Sequence, residues 1–141
     1  MLLAAQVTIT QVRKDMSAFA DRVIHKAPSV LVTRGRREAF VVIERSKFRH
    51  VLGAYRFSLE YERGEDGRYY GLLKEIPDIV GDGDSLEELR RDLAGYLVEY
   101  ARSYEKDLQL YYNAPNRHGH FAYVLHVLAQ ESVEDVRGLI D

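Results

Sequence analysis

The sequence predicts an α+β protein built from two small domains, residues 1–55 and 56–141. Three observations carry this. Hydrophobic periodicity switches repeatedly between the strand period of two and the helical period. Glycine-bearing turns separate the strand-like runs at Gly35 and at Gly64–Gly67. The charge also divides: residues 1–55 hold ten Lys and Arg against four Asp and Glu, a net of +6, and the remainder carries −8. With 141 residues, 46% hydrophobic and 30% charged, the chain suits one medium domain or two small ones.

In the first domain, Val7-Thr8-Ile9-Thr10 reads as a short strand. Residues 11–26 read as one amphipathic helix, with Thr10 able to cap it by accepting a first-turn N–H. Val12, Met16, Phe19, Ala20 and Val23 form its apolar face, and Arg13, Lys14 and Ser17 fall on the other side. Arg13 and Lys14 lie in the first turn, where unpaired N–H groups favour phosphate. Pro28 cannot extend the helix and biases Ala27 away from helical backbone. Two β-rich runs, Val30–Arg34 and Glu38–Ile43, then flank the turn Gly35-Arg36-Arg37, where Gly35 can take a positive φ. The domain should end near Gly53-Ala54. A unit of this size buries little, so Leu31, Phe40, Val42 and Val51 are expected to serve both a monomer core and a dimer seam.

The second domain opens on Phe57, Leu59 and Tyr61 alternating with Ser58, Glu60 and Glu62, a half-buried strand. Gly64-Glu65-Asp66-Gly67 is the turn, and Arg68–Lys74 the returning strand. Ile76–Asp84 reads as a loop with room for a short third strand. Ser85 and Glu88 have capping-box spacing before a helix over Leu86–Glu105, with its stripe at Leu86, Leu89, Leu93, Leu97, Tyr100 and Tyr104. Gly95 inside that helix costs about 1 kcal/mol relative to Ala, which suggests a close packing contact. Beyond Pro115, residues 121–129 suit either a helix or a terminal strand. The helix is preferred, packing with a last helix around Val133–Ile140 as a helical hairpin.

The first third of the chain resembles the N-terminal domain of the Phd/YefM antitoxins. The resemblance is carried by Ile9-Thr10, Arg13-Lys14-Asp15-Met16, Ala27-Pro28, Leu31-Val32-Thr33-Arg34-Gly35 and Ala39-Phe40-Val41-Val42-Ile43, in that order and spacing. A helix over Arg45–Leu52 completes a β-α-β-β-α domain. It lacks the usual acidic pair at its start, which here reads Glu44-Arg45-Ser46-Lys47. The resemblance implies a dimeric DNA-binding module that represses its own operon and holds a toxin. On that fold the helix start and the hairpin turn face the same DNA, giving Arg13, Lys14, Ser17, Arg34, Arg36 and Arg37 as DNA-binding residues. Arg pairs bidentately with phosphate or guanine edges.

Residues 57–105 resemble the HicB-like antitoxin domain, a partial ribonuclease-H fold of β-β-(β)-α order. The carriers are Glu65-Asp66-Gly67-Arg68-Tyr69-Tyr70, Ile76-Pro77-Asp78 and Gly81–Leu89. The chain departs from that family at Ile79-Val80-Gly81, where a cysteine is common. Together the resemblances imply a type II antitoxin that binds operator DNA as a homodimer through its N-terminal domain. Its acidic domain would block a toxin, most readily a small ribonuclease, through Tyr61, Glu62, Tyr69 and Tyr70.

Other chemistries are weaker. Asp78, Asp82, Asp84 and Glu88 could suggest a magnesium-dependent nuclease, but aspartates are also favoured by turns and helix N-termini. His118 and His120 flank Gly119, with His126 following, but no carboxylate or third ligand is placed with the pair, and a polar loop is the expectation. Most of the ten tyrosines fit ordinary packing, although tyrosine is enriched at interfaces. No catalytic, metal or cofactor motif occurs, and no cysteine is present. No apolar run reaches the roughly 18 residues that span a membrane. Met1–Ala5 is too short and uncharged for a signal peptide, so a cytoplasmic protein is the expectation. A regulator with an acidic ligand- or protein-sensing domain and no toxin is the alternative.

Overall fold

The computed structural model describes residues 5–141 of the chain. It is mixed α+β, and it divides into two compact units, Met1–Val51 and Leu52–Asp141. The short 3-10 turn Leu52–Ala54 packs against a helix of the second unit, which moves the division earlier than residue 55.

In unit 1, strand β1 (Gln6–Thr8) lies parallel to β2 (Val30–Arg34), and β3 (Glu38–Val42) pairs antiparallel on its other side. Buried Val30, Leu31 and Val32 make β2 the centre of the sheet. Val12, Val23 and Ala27 complete the core with Val30 and Val32. Gly35 takes φ +63° at the β2–β3 turn, as its sequence position predicts. Helix α3 (Arg45–Val51) closes the unit.

The expected single helix over residues 11–26 is broken into three pieces. Helix α1 (Ile9–Lys14) begins earlier than expected, α2 (Met16–Asp21) follows, and a π-helical turn spans Arg22–Lys26. Thr8, not Thr10, caps α1: its hydroxyl accepts the Gln11 N–H at 3.2 Å, and Gln11 Oε1 accepts the Thr8 N–H at 2.9 Å. The break is Asp15, whose backbone leaves the helical region at φ −149° and ψ 83°. Its carboxylate accepts the Ala18 N–H at 3.0 Å and restarts the helix. The restart turns Met16 outward, 60% exposed, so Met16 does not belong to the apolar face.

In unit 2, β4 (Leu59–Arg63), β5 (Tyr69–Leu73) and β6 (Ile76–Gly83) form an antiparallel sheet in that order. The expected loop at 76–84 is therefore a full strand. Pro77 is tolerated because β6 is an edge strand, near whose start a missing N–H costs no ladder bond.

Helix α4 (Leu86–Lys106) buries Leu89, Leu93, Ala94, Leu97, Ala101 and Tyr104. Ser85 Oγ accepts the Glu88 N–H at 3.1 Å as predicted, but the Glu88 carboxylate takes the N–H of Asp84, not of Ser85. Gly95 has open space around it, so close packing is not its reason. The close approach is made from the sheet side. A Cβ on Gly83 would lie 2.6 Å from the Leu89 backbone nitrogen, and one on Gly81 would lie 2.7 Å from an Asp92 carboxylate oxygen.

Helix α5 (Leu108–Asn113) was not anticipated, and residues 121–128 are helical as α6 (Phe121–Leu128). The last helix is α7 (Val133–Arg137). Helices α6 and α7 each pack on α4 instead of pairing as a hairpin of their own, because the α4 stripe continues through Leu97, Ala101 and Tyr104. The chain end returns to the start of this unit. Phe57 bridges Ile140 in parallel, and Arg56 pairs with Asp141 at 2.7 Å.

Candidate functional site

The parallel register Thr8↔Thr33 puts the start of α1 and the β2–β3 turn at the same end of the first sheet. Arg36 and Arg37 occupy that turn and are exposed. Arg34 is already engaged: its guanidinium holds the Glu38 carboxylate at 3.0 and 2.7 Å, and that bond pushes the Arg34 pKa up. Arg13 and Lys14 stand in the last turn of α1, not in a first turn, and directly precede Asp15, the N-cap of α2. The expected first-turn position fails because the helix begins at Ile9 and ends at Lys14. Ser17 lies in the first turn of α2.

The acidic residues that suggested a metal site are paired with arginines. Arg68 holds Asp82 at 2.7 Å and also Asp84, while Arg117 lies 3.3 Å from Asp78. Because Asp78 and Asp82 belong to β6, the loop geometry expected for them is corrected too. Glu88 caps Asp84. The histidines are held separately: His118 by Tyr112 O, His120 by the Tyr100 hydroxyl, and buried His126 by Tyr55 O. Among the described residues, no group of three or more His, Asp or Glu could hold a metal ion.

Tyr61, Glu62, Tyr69 and Tyr70 cluster at the β4–β5 hairpin but divide between the sheet's two faces. Alternation along the strands places Tyr61 and Tyr69 on the α4 side, with ring centroids 6.0 Å apart. Arg63 lies over the Tyr69 ring. Glu62 and Tyr70 are cross-strand partners on the other face. The Tyr70 hydroxyl donates to Asp66 at 2.6 Å. That bond lowers the Asp66 pKa and raises that of Tyr70.

Beside the hairpin lies a groove of about 620 Å³. Tyr61, Gly71 and Gly81 share one cross-strand row along it, and Asp92 and Tyr96 reach it from α4. Sequence reading missed Asp92 and Tyr96. The available signal was their spacing of four, which sets both on one flank of α4 beside its leucine stripe.

This arrangement offers surfaces for macromolecular contact. A family model for PHD-like proteins, described as the antitoxin of a RelE/RelB toxin-antitoxin system, matches residues 1–141. The chain belongs to this antitoxin family, and its family partner is a toxin. A crystal structure from Syntrophomonas wolfei subsp. wolfei, described as an antitoxin part of a candidate toxin/antitoxin system, is 31% identical. It aligns over 96% of each chain with a TM-score of 0.87. No curated protein matches the chain. No helix among the described residues is long and apolar enough to cross a membrane.

Proposed function

We propose that this chain is a type II antitoxin that divides its work between the two units. Unit 1, the Phd/YefM-like part, dimerises and binds operator DNA to repress its own operon. Unit 2, the HicB-like part, binds a small ribonuclease toxin and occludes it sterically. The observation that carries the reading is the division of charge: +6 over residues 1–55 and −8 over residues 56–141. A phosphate backbone favours the first and is repelled by the second, which suits a basic protein partner.

On the DNA side, Arg36 and Arg37 make backbone contacts and Arg13 reads a base edge. Lys14 and Ser17 support them, and Arg34 contributes less while it holds Glu38. Two-fold symmetry doubles these contacts and selects a palindromic operator. On the toxin side, Tyr61, Glu62, Tyr69 and Tyr70 supply contact area around an acidic hairpin. The arginine pairing of Asp82 and Asp84 favours occlusion over nuclease chemistry as the work of unit 2.

Two measurements test the reading. Co-expression with the neighbouring gene should yield a stable complex in which the toxin is inactive; a partner that never co-purifies would remove the toxin from it. A salt titration of operator binding tests the other half. Each phosphate contact removed in Arg36→Ala/Arg37→Ala should lower the log–log salt slope by about 0.9 per subunit. Arg13→Ala should cost about 1–3 kcal/mol on the cognate site if it meets a base. Unchanged affinity and slope in all these variants would place DNA elsewhere or nowhere.

A further inference from the structure

An antiparallel sheet commonly turns one face to water, and that face is then polar. In unit 2 the covered face lies under α4, where Leu89 and Leu93 approach the row of Gly71 and Gly81. The opposite face carries two cross-strand rows, Glu60–Leu72–Val80 and Glu62–Tyr70–Asp82. Leu72 is half-buried and the other five are exposed. All six line the groove of about 620 Å³, with Gly71 and Gly81 between the rows.

The centre of this open face is apolar. Tyr70 and Leu72 follow each other along β5, and Val80 stands opposite Leu72 on β6. Tyr70 and Val80 are 39% and 58% exposed. The bond from the Tyr70 hydroxyl to Asp66 holds the ring in place on the face. The charge is one-sided. Asp82 is matched by Arg68 at 2.7 Å, whereas Glu60 and Glu62 form no ion pair among the described residues. These two carboxylates stand two residues apart on β4, about 7 Å, where a shared cation relieves their repulsion.

We propose that this open face seats an amphipathic helix of the toxin. Its apolar side lies over Tyr70, Leu72 and Val80, and its lysines or arginines lie over Glu60 and Glu62. The inference rests on the reading that unit 2 holds the toxin, and it names what unit 2 holds. Width argues for a helix: three strands about 4.8 Å apart make a face roughly 10 Å across, close to the diameter of one helix, about 10–12 Å. A sheet face, unlike an edge, offers no free backbone N–H or C=O, so packing and charge do the recognition. The net −8 of residues 56–141 favours a basic occupant over a second copy of the same sheet.

The test uses the full chain, isotope-labelled. The probe is a capped helical peptide of about 18 residues, long enough to hold its helix, with leucines on one side and lysines beside them. A counterpart with glutamate for lysine is the control. The lysine peptide should shift the amides of Glu60, Tyr70, Leu72 and Val80, and the control should not. Glu60→Gln combined with Glu62→Gln should weaken it about fivefold, and added salt should erase that difference. Val80→Ser should weaken it through lost apolar contact. Glu99→Gln combined with Glu105→Gln removes the same charge from α4 and should leave binding nearly unchanged.

Shifts confined to other surfaces, or equal losses from the two glutamate pairs, would overturn the proposal. So would self-association of the free chain that Val80→Ser abolishes, since the face would then belong to a second copy. A toxin that binds Val80→Ser and the Glu60/Glu62 variant as tightly as wild type would sink this inference alone. A peptide that binds as expected, with a toxin that never binds, would instead sink the reading of unit 2 as the toxin holder.

Discussion

Lys47 donates to three backbone carbonyls, those of Ile24, Ala27 and Val23, at 3.0, 3.1 and 3.3 Å. These lie at the end of the π-helical turn, where helix geometry leaves acceptors unpaired. Hydrogen bonds to charged groups are worth about 1.5–3 kcal/mol, so Lys47→Met should lower the urea unfolding free energy by roughly that amount. An unchanged midpoint would show that solvent satisfies these carbonyls equally well. His120 makes a second case. Burial holds its imidazole below the usual histidine range, the Arg117 charge adds to this, and Asp78 opposes it. The folded value lies below the unfolded one, so the stabilisation is complete above the ordinary histidine pKa and is lost as pH falls through and below it. The unfolding midpoint should drop between about pH 7.5 and about pH 5.5, and His120→Asn should flatten that part of the profile. An unaltered profile would place the proton uptake elsewhere. Neither interaction was legible in the sequence, because Lys47 and His120 each act on groups some twenty residues away.

At the scale of elements, the glycine turns and the Ser85 cap were the most legible features. Gly35, Gly67 and Ser85 each hold a local geometry that few other residues satisfy, and each stands where the sequence put it. Asp15 escaped because Val12 and Val23 keep helical spacing across it, and periodicity does not register a cap inside an apolar stripe. Strand β6 escaped because Pro77, Gly81 and Gly83 read as loop signals. Gly83 is glycine because the α4 backbone lies almost on it, a contact that exists only after folding. Paired substitutions can separate these roles. Gly95→Ala should raise stability by up to about 1 kcal/mol, since the helix gains propensity and the methyl meets open space. Gly83→Ala should lower the thermal midpoint, because its methyl would collide with the backbone of α4. Equal effects from both would mean that the helix can slide away from the sheet without cost.

For the whole molecule, the class of function was legible in composition and motif order, while the contact surfaces were not. The groove joins Tyr61, Gly71 and Gly81 on three strands to Tyr96 on α4, so no local pattern could reveal it. The dimer remains a proposal with its own test. Phe40, Val41 and Val51 are exposed at 47%, 52% and 63%, and unit 1 has few buried residues to spare. Sedimentation of the full chain should give a dimer at micromolar concentration, and Phe40→Ser combined with Val51→Ser should shift it toward monomer. A wild-type chain that sediments as a monomer would remove the dimer from the account. The two interrupted edges of the second sheet have a further consequence. Long bare strand edges invite chains to stack on one another, a route to aggregates. Here Asp92 takes the outward N–H of Asp82 on one edge and Asp141 takes that of Leu59 on the other, so each edge is interrupted. Short interrupted edges template a growing fibril poorly, so the chain can wait unbound without sticking to its own kind.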